Sequence, residues 1–298
     1  MWGRHHEAMP IGVVDVGSNT VRLLVEVSGR PVLSERELLR LGDDVERTGR
    51  ISEEKLDLLA ELVTGYAKDA RAAGVLELEI LITSPGRQAA NGNELLERLE
   101  TASGCPARIL TAVEEGRLAF VGAVGIAGPP TRRKVAVVDV GGGSAQVVVG
   151  TRRDGPQWAG SIDLGSQRLT SRLLTGDPPG VKAVAAAKAE TERYVAQLDA
   201  PKPRTAYAVG GSARALKRMV GPRLGPDEFA EALGILSATP ARVVAREFDI
   251  DSSRTRTLVA GAVILSALQA RLETPLKVVR GGLRDGAIGE LEARLLAA

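Results

Sequence analysis

The sequence predicts an α/β fold divided into two domains. Short apolar strands alternate with amphipathic helices along the chain. A segment made of an apolar strand, an aspartate and a glycine-rich turn occurs twice, at residues 13–20 and 137–144, with an offset of 124 residues. The length of 298 residues fits two domains, because single domains commonly have about 100–150 residues.

The predicted elements follow this alternation in order. A hairpin of strands at 11–15 and 21–27 opens the chain, and a matching hairpin at 135–139 and 146–150 opens the second half. The remaining strands are predicted at 76–82, 107–110, 157–163, 205–209 and 276–279. The helices are predicted at 52–73, 93–102, 114–124, 167–174, 182–197, 213–220, 227–236, 253–272 and 286–296.

A loop rich in glycine and proline, at residues 125–130, marks the predicted domain boundary. We therefore predict domain I at residues 10–125 and domain II at residues 126–298. As an alternative, the C-terminal helix, at about residues 287–298, packs back on domain I.

Composition excludes several classes of protein. The 39 basic residues are nearly balanced by 37 acidic ones, which argues against a nucleic-acid binder coated in positive charge. The lone Cys105 and the adjacent His5 and His6 exclude a disulfide framework, a Ser-His-Asp triad and a histidine zinc site. The chain has no run of 18 apolar residues and no apolar signal core, so we expect a cytoplasmic protein without a membrane partner.

Both glycine-rich turns are candidates for phosphate binding. A glycine-rich turn after a strand lets successive backbone N–H groups point at one anion, and glycine has no Cβ to block its approach. Each turn alone is more typical of a plain hairpin, but the matched pair favours a ligand with several phosphates. The candidate residues are Gly17, Ser18 and Asn19 in the first turn, and Gly141, Gly142, Gly143 and Ser144 in the second.

Carboxylates and arginines lie next to these turns. Asp15 and Asp139 end the two strands, and each could hold Mg²⁺ against a phosphate or hydrogen-bond its own turn. The two alternatives are equal for Asp15, whereas the metal is favoured for Asp139. Arg22 and Arg87 are candidate phosphate contacts, with an ordinary solvated arginine as the alternative.

Short motifs in a fixed order identify a family. They occupy residues 15–20, 41–42 with 48–50, 83–84 with 87–89, 114–119, 139–144, 164–165 with 168–170, 210–212 with 215–216, 260–262 and 282–286. In this order they resemble the exopolyphosphatase/guanosine pentaphosphate phosphohydrolase (Ppx/GppA) family of the actin-like ATPase superfamily. The resemblance covers roughly residues 11–291.

The resemblance implies two ribonuclease-H-like domains that flank a cleft. It implies Mg²⁺-dependent release of the terminal phosphate from inorganic polyphosphate or from pppGpp. The short form of the chain favours short polyphosphates, and we expect a homodimer. The family's catalytic glutamate falls on Glu115, which would orient and deprotonate the attacking water. Gly211 and Ser212 join the candidate phosphate contacts, and Arg168 and Arg284 join the candidate arginines.

Two positions depart from the family pattern. Gln146 stands where the family usually has a glutamate; its amide is a weak metal ligand and removes one negative charge. A polyphosphate or alarmone sensor with little turnover is therefore the first alternative. Residues 254–256 read Arg-Thr-Arg where Arg-Ala-Asp is expected, which makes this helix start basic. A small-molecule kinase of the same superfamily is the second alternative, although no residue points to an acceptor pocket.

Overall fold

Two α/β units account for residues 10–297, which are the residues that the computed structural model describes. The first unit consists of residues 10–110 and 287–297, and the second consists of residues 111–286. Each unit has its own mixed β-sheet, so the predicted fold class is confirmed. His5 and His6 lie outside the described residues. No helix within residues 10–297 has the length and apolar character needed to span a membrane.

The first unit has a sheet of order β3-β2-β1-β4-β5. Strands β1, β2 and β3 are antiparallel neighbours, and β4 and β5 continue the sheet in parallel from β1. The strands are β1 (Pro10–Val16), β2 (Thr20–Val27), β3 (Arg30–Leu38), β4 (Glu77–Ile82) and β5 (Ala107–Ile109). The helices are α1 (Leu41–Thr48), α2 (Glu53–Ala72), α3 (Ser84–Gln88) and α4 (Gly92–Ser103). The apolar stripe of α2 is buried in this unit's core, as its helical spacing predicts.

The second unit has a sheet of order β10-β11-β9-β6-β7-β8. Its strands are β6 (Val135–Val140), β7 (Ala145–Thr151), β8 (Gly155–Ile162), β9 (Thr205–Val209), β10 (Arg223–Leu224) and β11 (Leu276–Val278). Its helices are α5 (Ala112–Ala127), α6 (Ser166–Leu173), α7 (Val181–Val195), α8 (Gly210–Val220), α9 (Pro226–Ala238), α10 (Ala241–Glu247) and α11 (Ser252–Leu272). A last helix, α12 (Leu283–Ala297), begins in the second unit, and its residues from Ala287 belong to the first.

The two sheets repeat one topology. The order β8-β7-β6-β9-β11 in the second unit matches β3-β2-β1-β4-β5 in the first, with the same antiparallel and parallel pairings. The same backbone hydrogen bond closes both hairpin turns. Gly17 N donates to Thr20 O at 3.1 Å, and Gly141 N donates to Ser144 O at 3.0 Å. The internal repeat in the sequence therefore corresponds to a repeated architecture.

The predicted boundary at 125/126 is corrected by the structure, because it falls inside α5. This helix packs on the second sheet, where Phe120 lies in a core cluster with Val137 and Val148. The second unit therefore begins at Thr111, before the helix. At the other end of the chain, Arg294 of α12 pairs with Glu79 of β4 within the first unit.

Candidate active site

Asp139 and Gln146 form a cross-strand pair at the closed end of the β6/β7 hairpin. Residues directly opposite in an antiparallel pair project from the same face, with Cβ atoms about 4.5–5.5 Å apart. Alternation along β6 places Asp139 on the face of Val135 and Val137, which pack with Phe120 of α5. The pair therefore lies on the side of the sheet that α5 covers.

Gln146 has a buried hydrogen-bond acceptor and lies opposite Asp139. Its side chain is only 1 % exposed, and its Nε2 donates to Ser144 Oγ at 2.9 Å. Its Oε1 is buried and accepts no hydrogen bond from residues 10–297. An unsatisfied buried acceptor costs about 1–3 kcal/mol. The amide oxygen, opposite an aspartate, is thus suited to a cation or a water.

The carboxylate of Asp139 faces the start of α8. A Cβ on Gly210 would lie 2.6 Å from Asp139 Oδ1, and Gly210 has a φ of +85°. Both facts require glycine at this position. At the next residue, the guanidinium of Arg254 fills the space that a side chain on Gly211 would need. Asp139 therefore lies close to the positive N-terminal end of a helix dipole.

Glu115 is the buried member of a pair of adjacent acids in the first turns of α5. The exposed Glu114 closes a capping box, in which Thr111 N donates to Glu114 Oε2 at 2.7 Å and Glu114 N donates to Thr111 Oγ1 at 3.2 Å. Glu115 is 8 % exposed, and so buried an acid is unusual. Glu114 therefore caps the helix, and Glu115 is the buried acid of the pair.

Gly116 allows α5 to lie directly on β7. A Cβ at this residue would come within 2.8 Å of Val148 Cγ2 and 3.2 Å of Gln146 Cβ. The neighbour of Glu115 therefore touches the cross-strand partner of Asp139. The structure places Glu115 in the second unit, next to the residue that packs on Gln146, whereas the predicted boundary had assigned Glu115 to the first domain.

Helix α6 supports the turn at residues 141–144. Ser166 N donates to Gly141 O at 2.9 Å, and Gln167 N donates to Gly142 O at 2.8 Å. Because C=O and N–H point in opposite directions in a trans peptide, the N–H groups of Gly142 and Gly143 point away from α6. This is the arrangement expected of an anion-binding turn.

The matching turn of the first unit has α1 as its support. Gly42 N donates to Ser18 O at 2.8 Å, and Arg40 N donates to Asn19 O at 3.0 Å. The hydroxyl of Ser18 is buried and bonds to Ser84 Oγ at 2.6 Å. The Ser18 hydroxyl thus joins the turn to α3, the helix that follows β4.

Charged side chains flank this first turn. Asp15 lies directly opposite Arg22 across the β1/β2 hairpin, with Asp15 Oδ1 on the side of the Gly17 turn. Arg87 lies in α3, and its Nη1 donates to Leu110 O at 2.7 Å. One N–H group of Arg87 therefore holds the residue that directly follows β5.

The structure uses some predicted residues differently. Arg168 is buried, and its Nη1 lies 2.7 Å from Asp163 Oδ2 and 3.0 Å from Asp163 O. It therefore stabilises the start of α6. Ser212 is buried, with its hydroxyl against Gly261 of α11. Arg284 is half-buried in the first turn of α12.

Sequence reasoning missed the roles of Gly210 and Arg254. The available signal was the position of residues 210–212 directly after β9, since strand ends in α/β sheets line ligand sites. Among residues 10–297, no three His, Cys, Asp or Glu side chains form a potential metal cluster. A metal at Asp139 would therefore have few protein ligands.

Comparison with known proteins decides the family. The model of the Ppx/GppA phosphatase family matches residues 21–295. The chain belongs to this family. Exopolyphosphatase 1 of Mycobacterium tuberculosis is 33 % identical over 302 residues, which cover 94 % of this chain and 87 % of the relative.

Solved structures agree with this assignment. The crystal structure of an exopolyphosphatase-like protein is 26 % identical, with a TM-score of 0.86 and coverage of 96 % of this chain and 100 % of that one. A Ppx/GppA family member from Aquifex aeolicus is 24 % identical, with a TM-score of 0.80 and coverage of 96 % and 98 %. The family that the sequence motifs resemble is confirmed.

Proposed function

We propose that this Ppx/GppA family protein is a Mg²⁺-dependent hydrolase that releases the terminal phosphate of inorganic polyphosphate. The observation that carries the proposal is the grouping of Asp139 and Gln146 with the buried Glu115 and the glycine turn in one unit. The 33 % identity to an exopolyphosphatase over most of the chain supports polyphosphate as the substrate. Guanosine pentaphosphate, pppGpp, has the same terminal phosphoanhydride and is the other substrate to compare.

Glu115 acts as the general base in this proposal. Its carboxylate accepts a proton from water as the water oxygen attacks the terminal phosphorus. The bond to the bridging oxygen breaks, and the products are inorganic phosphate and a chain one phosphate shorter. The N–H groups of Gly142 and Gly143, which point away from α6, hold the terminal phosphate. In the first unit, the turn at 17–19 with Arg22 and Arg87 stays a separate predicted phosphate site. Phosphoryl transfer requires mainly such positioning and charge neutralisation.

Asp139 and Gln146 fit a magnesium ion. Mg²⁺ prefers oxygen ligands, and it usually takes one or two carboxylates, several waters and the substrate phosphates. The Asp139 carboxylate and the buried Gln146 Oε1 form such a small oxygen set. When bound, the ion offsets the negative charge of the phosphates. Asp15 fits less well, because Arg22 lies opposite it.

Two adjacent glutamates provide a matched test. Glu115→Gln is expected to lower kcat for phosphate release at least ~100-fold with little change in KM, as loss of a general base does. Glu114→Gln keeps a side-chain oxygen that can accept the Thr111 N–H of the capping box, and is expected to keep kcat within about twofold of wild type.

The assay uses short and long polyphosphate, ATP and pppGpp, each with Mg²⁺. Wild-type rates in Glu115→Gln would remove Glu115 from its role. Release from pppGpp without release from any polyphosphate would overturn the substrate assignment.

A sensor with little turnover is the second candidate, and the neutral amide of Gln146 favours it. Gln146→Glu adds a charge opposite Asp139 and is expected to raise Mg²⁺ affinity and turnover about tenfold if the site is merely weakened. Tight polyphosphate binding without phosphate release, in both wild type and Gln146→Glu, would establish the sensor.

A further inference from the structure

An uncompensated basic surface lies at the end of the second sheet away from Asp139. It comprises Arg132, Arg133 and Lys134 before β6, Arg152 after β7, and Arg204 before β9, and we name it the basic edge. These chain ends meet because Val135 is the register partner of both Gly150 and Thr205. Three separate segments thus bring their cations to one edge.

Backbone hydrogen bonds hold the three segments side by side. Arg204 N donates to Lys134 O at 2.9 Å, and Arg153 N donates to Thr131 O at 2.9 Å. Neighbouring strands lie about 4.8 Å apart, so the cations stand in a short row. Arg133 also lies near Tyr207: burial raises the pKa of this phenol, and the Arg133 charge partly lowers it again.

Among residues 10–297, the cations of the basic edge differ from other arginines because they have no acidic ion-pair partner. All five of its side chains are exposed, and none forms an ion pair with any residue from 10 to 297. In contrast, Arg98 lies within 3.2 Å of Glu53, Asp57 and Glu94. The neighbouring acid, Asp154, is held by Thr151 and Arg153. The five positive charges are therefore available to an external anion.

We propose that the basic edge is a second polyanion site, which binds a distal part of a long polyphosphate chain. The proposal rests on the proposed function only for the identity of the polyanion. The guanidinium groups of arginine bind phosphate oxygens in bidentate fashion. A row of cations also suits polyphosphate, because every phosphate of that chain carries a negative charge. Single-stranded nucleic acid is disfavoured because residues 131–134, 151–154 and 204 include no aromatic side chain on which a base could stack.

The position of the basic edge makes it a site for long chains. Strand β6 separates it from the turn at 141–144, a distance of about 20 Å at ~3.3 Å per residue. A short polyphosphate at the turn does not reach the edge. The proposal predicts higher affinity for long chains, in contrast to the expectation of short chains that was drawn from the length of the protein.

A matched pair of triple variants tests the proposal. Arg132→Ser/Arg152→Ser/Arg204→Ser removes three cations of the edge. Lys182→Ser/Arg242→Ser/Arg246→Ser removes three exposed cations of the same unit that likewise form no ion pair in the described part of the chain. The Kd of long-chain polyphosphate is measured in EDTA over a range of salt concentrations, and tripolyphosphate hydrolysis is measured with Mg²⁺.

We expect the edge variant to raise the long-chain Kd at least ~10-fold and to lower the salt slope by about 2, as loss of three phosphate contacts does. The control variant should stay within about twofold of wild type. Arg132→Lys/Arg152→Lys/Arg204→Lys should keep most of the affinity. Tripolyphosphate hydrolysis should be unchanged in every variant.

An unchanged long-chain Kd in the edge variant, or an equal loss in the control variant, would overturn the proposal. The proposal would also be overturned if the edge variant lost binding to a single-stranded DNA oligonucleotide while it kept polyphosphate binding. That result would assign the edge to nucleic acid. If wild type hydrolyses no substrate, the proposed function fails, but the binding comparison still decides the role of the edge.

Discussion

The two hairpins share a backbone and differ in the charges at their closed ends. In the first unit, Asp15 lies opposite Arg22, so an acid faces a base. In the second unit, the equivalent Asp139 lies opposite the neutral Gln146. Both turns are closed by the same glycine N–H bond. The repeat therefore preserves the turn, and the opposing residue gives the two hairpins different charges at their closed ends.

The supports of the two turns also differ in chemistry. Helix α1, behind the first turn, is fixed by the buried Asp44, which accepts hydrogen bonds from Ser52 and Lys55. Helix α6, behind the second, is fixed by the buried Arg168 and its contacts with Asp163. One turn is thus held through a buried acid and the other through a buried base.

The strongest way to break the asymmetry is to copy the first pair into the second hairpin. Gln146→Arg places a guanidinium opposite Asp139, where it competes with Mg²⁺ for the carboxylate. We expect phosphate release to fall at least ~100-fold, in line with the loss of a principal electrostatic group at a reacting centre. Gln146→Leu, which removes only the amide, should cost less. Wild-type rates in Gln146→Arg would show that the opposing residue does not matter.

A second way to break the asymmetry between the hairpins uses the contact between Asp139 and α8. Gly210→Ala combines a positive φ with a clash against Asp139 Oδ1, and we expect about 2 kcal/mol of destabilisation with at least a tenfold loss of activity. Gly234→Ala in α9 is the control, because its Cβ meets no atom within 4 Å. The control should be neutral or stabilising, as judged by urea unfolding. Equal behaviour of the two variants would contradict this account of Asp139.

The smallest effect concerns the support of the first turn. Burial raises the pKa of Asp44, but hydrogen bonds from Ser52 and Lys55 and the Lys55 charge outweigh it and lower the pKa from 3.8 to about 2. The resulting stability, about 2 kcal/mol, is present above pH ~4 and is lost as the pH falls toward 2.

Asp44→Asn tests this support. It should lose about 2 kcal/mol at pH 7, and its difference from wild type in unfolding free energy should shrink between pH 4 and pH 2. A difference independent of pH would show that the Asp44 charge does not hold α1.

The internal repeat indicates two elements, β3 and α1, that the sequence patterns did not predict. Strand β3 lies at the sheet edge with mostly exposed residues, so it has no alternating apolar pattern. Helix α1 is only two turns long. Shifting the predicted strand at 157–163 and helix at 167–174 by the 124-residue offset places them at 33–39 and 43–50, close to β3 and α1. Helices α3 and α10 and strand β10 are too short for a periodic signal.

The local parts of the site were predictable, and the long-range contacts were not. Asp139, the turn at 141–144 and Glu115 are contiguous with recognisable motifs. The burial of Arg168 against Asp163, and the packing of Ser212 against Gly261, depend on where a helix lies relative to other elements. No pattern within one segment specifies these contacts, because they form only when separate elements pack together.

Metal affinity in the absence of substrate tests the central claim most directly. Mn²⁺ accepts the same oxygen ligands as Mg²⁺, and its free concentration can be followed by electron paramagnetic resonance. Asp139→Asn should weaken Mn²⁺ binding at least ~10-fold, whereas Asp15→Asn should stay within about twofold of wild type. Equal weakening in both variants, or weakening in Asp15→Asn alone, would contradict the assignment of the cation to the second hairpin.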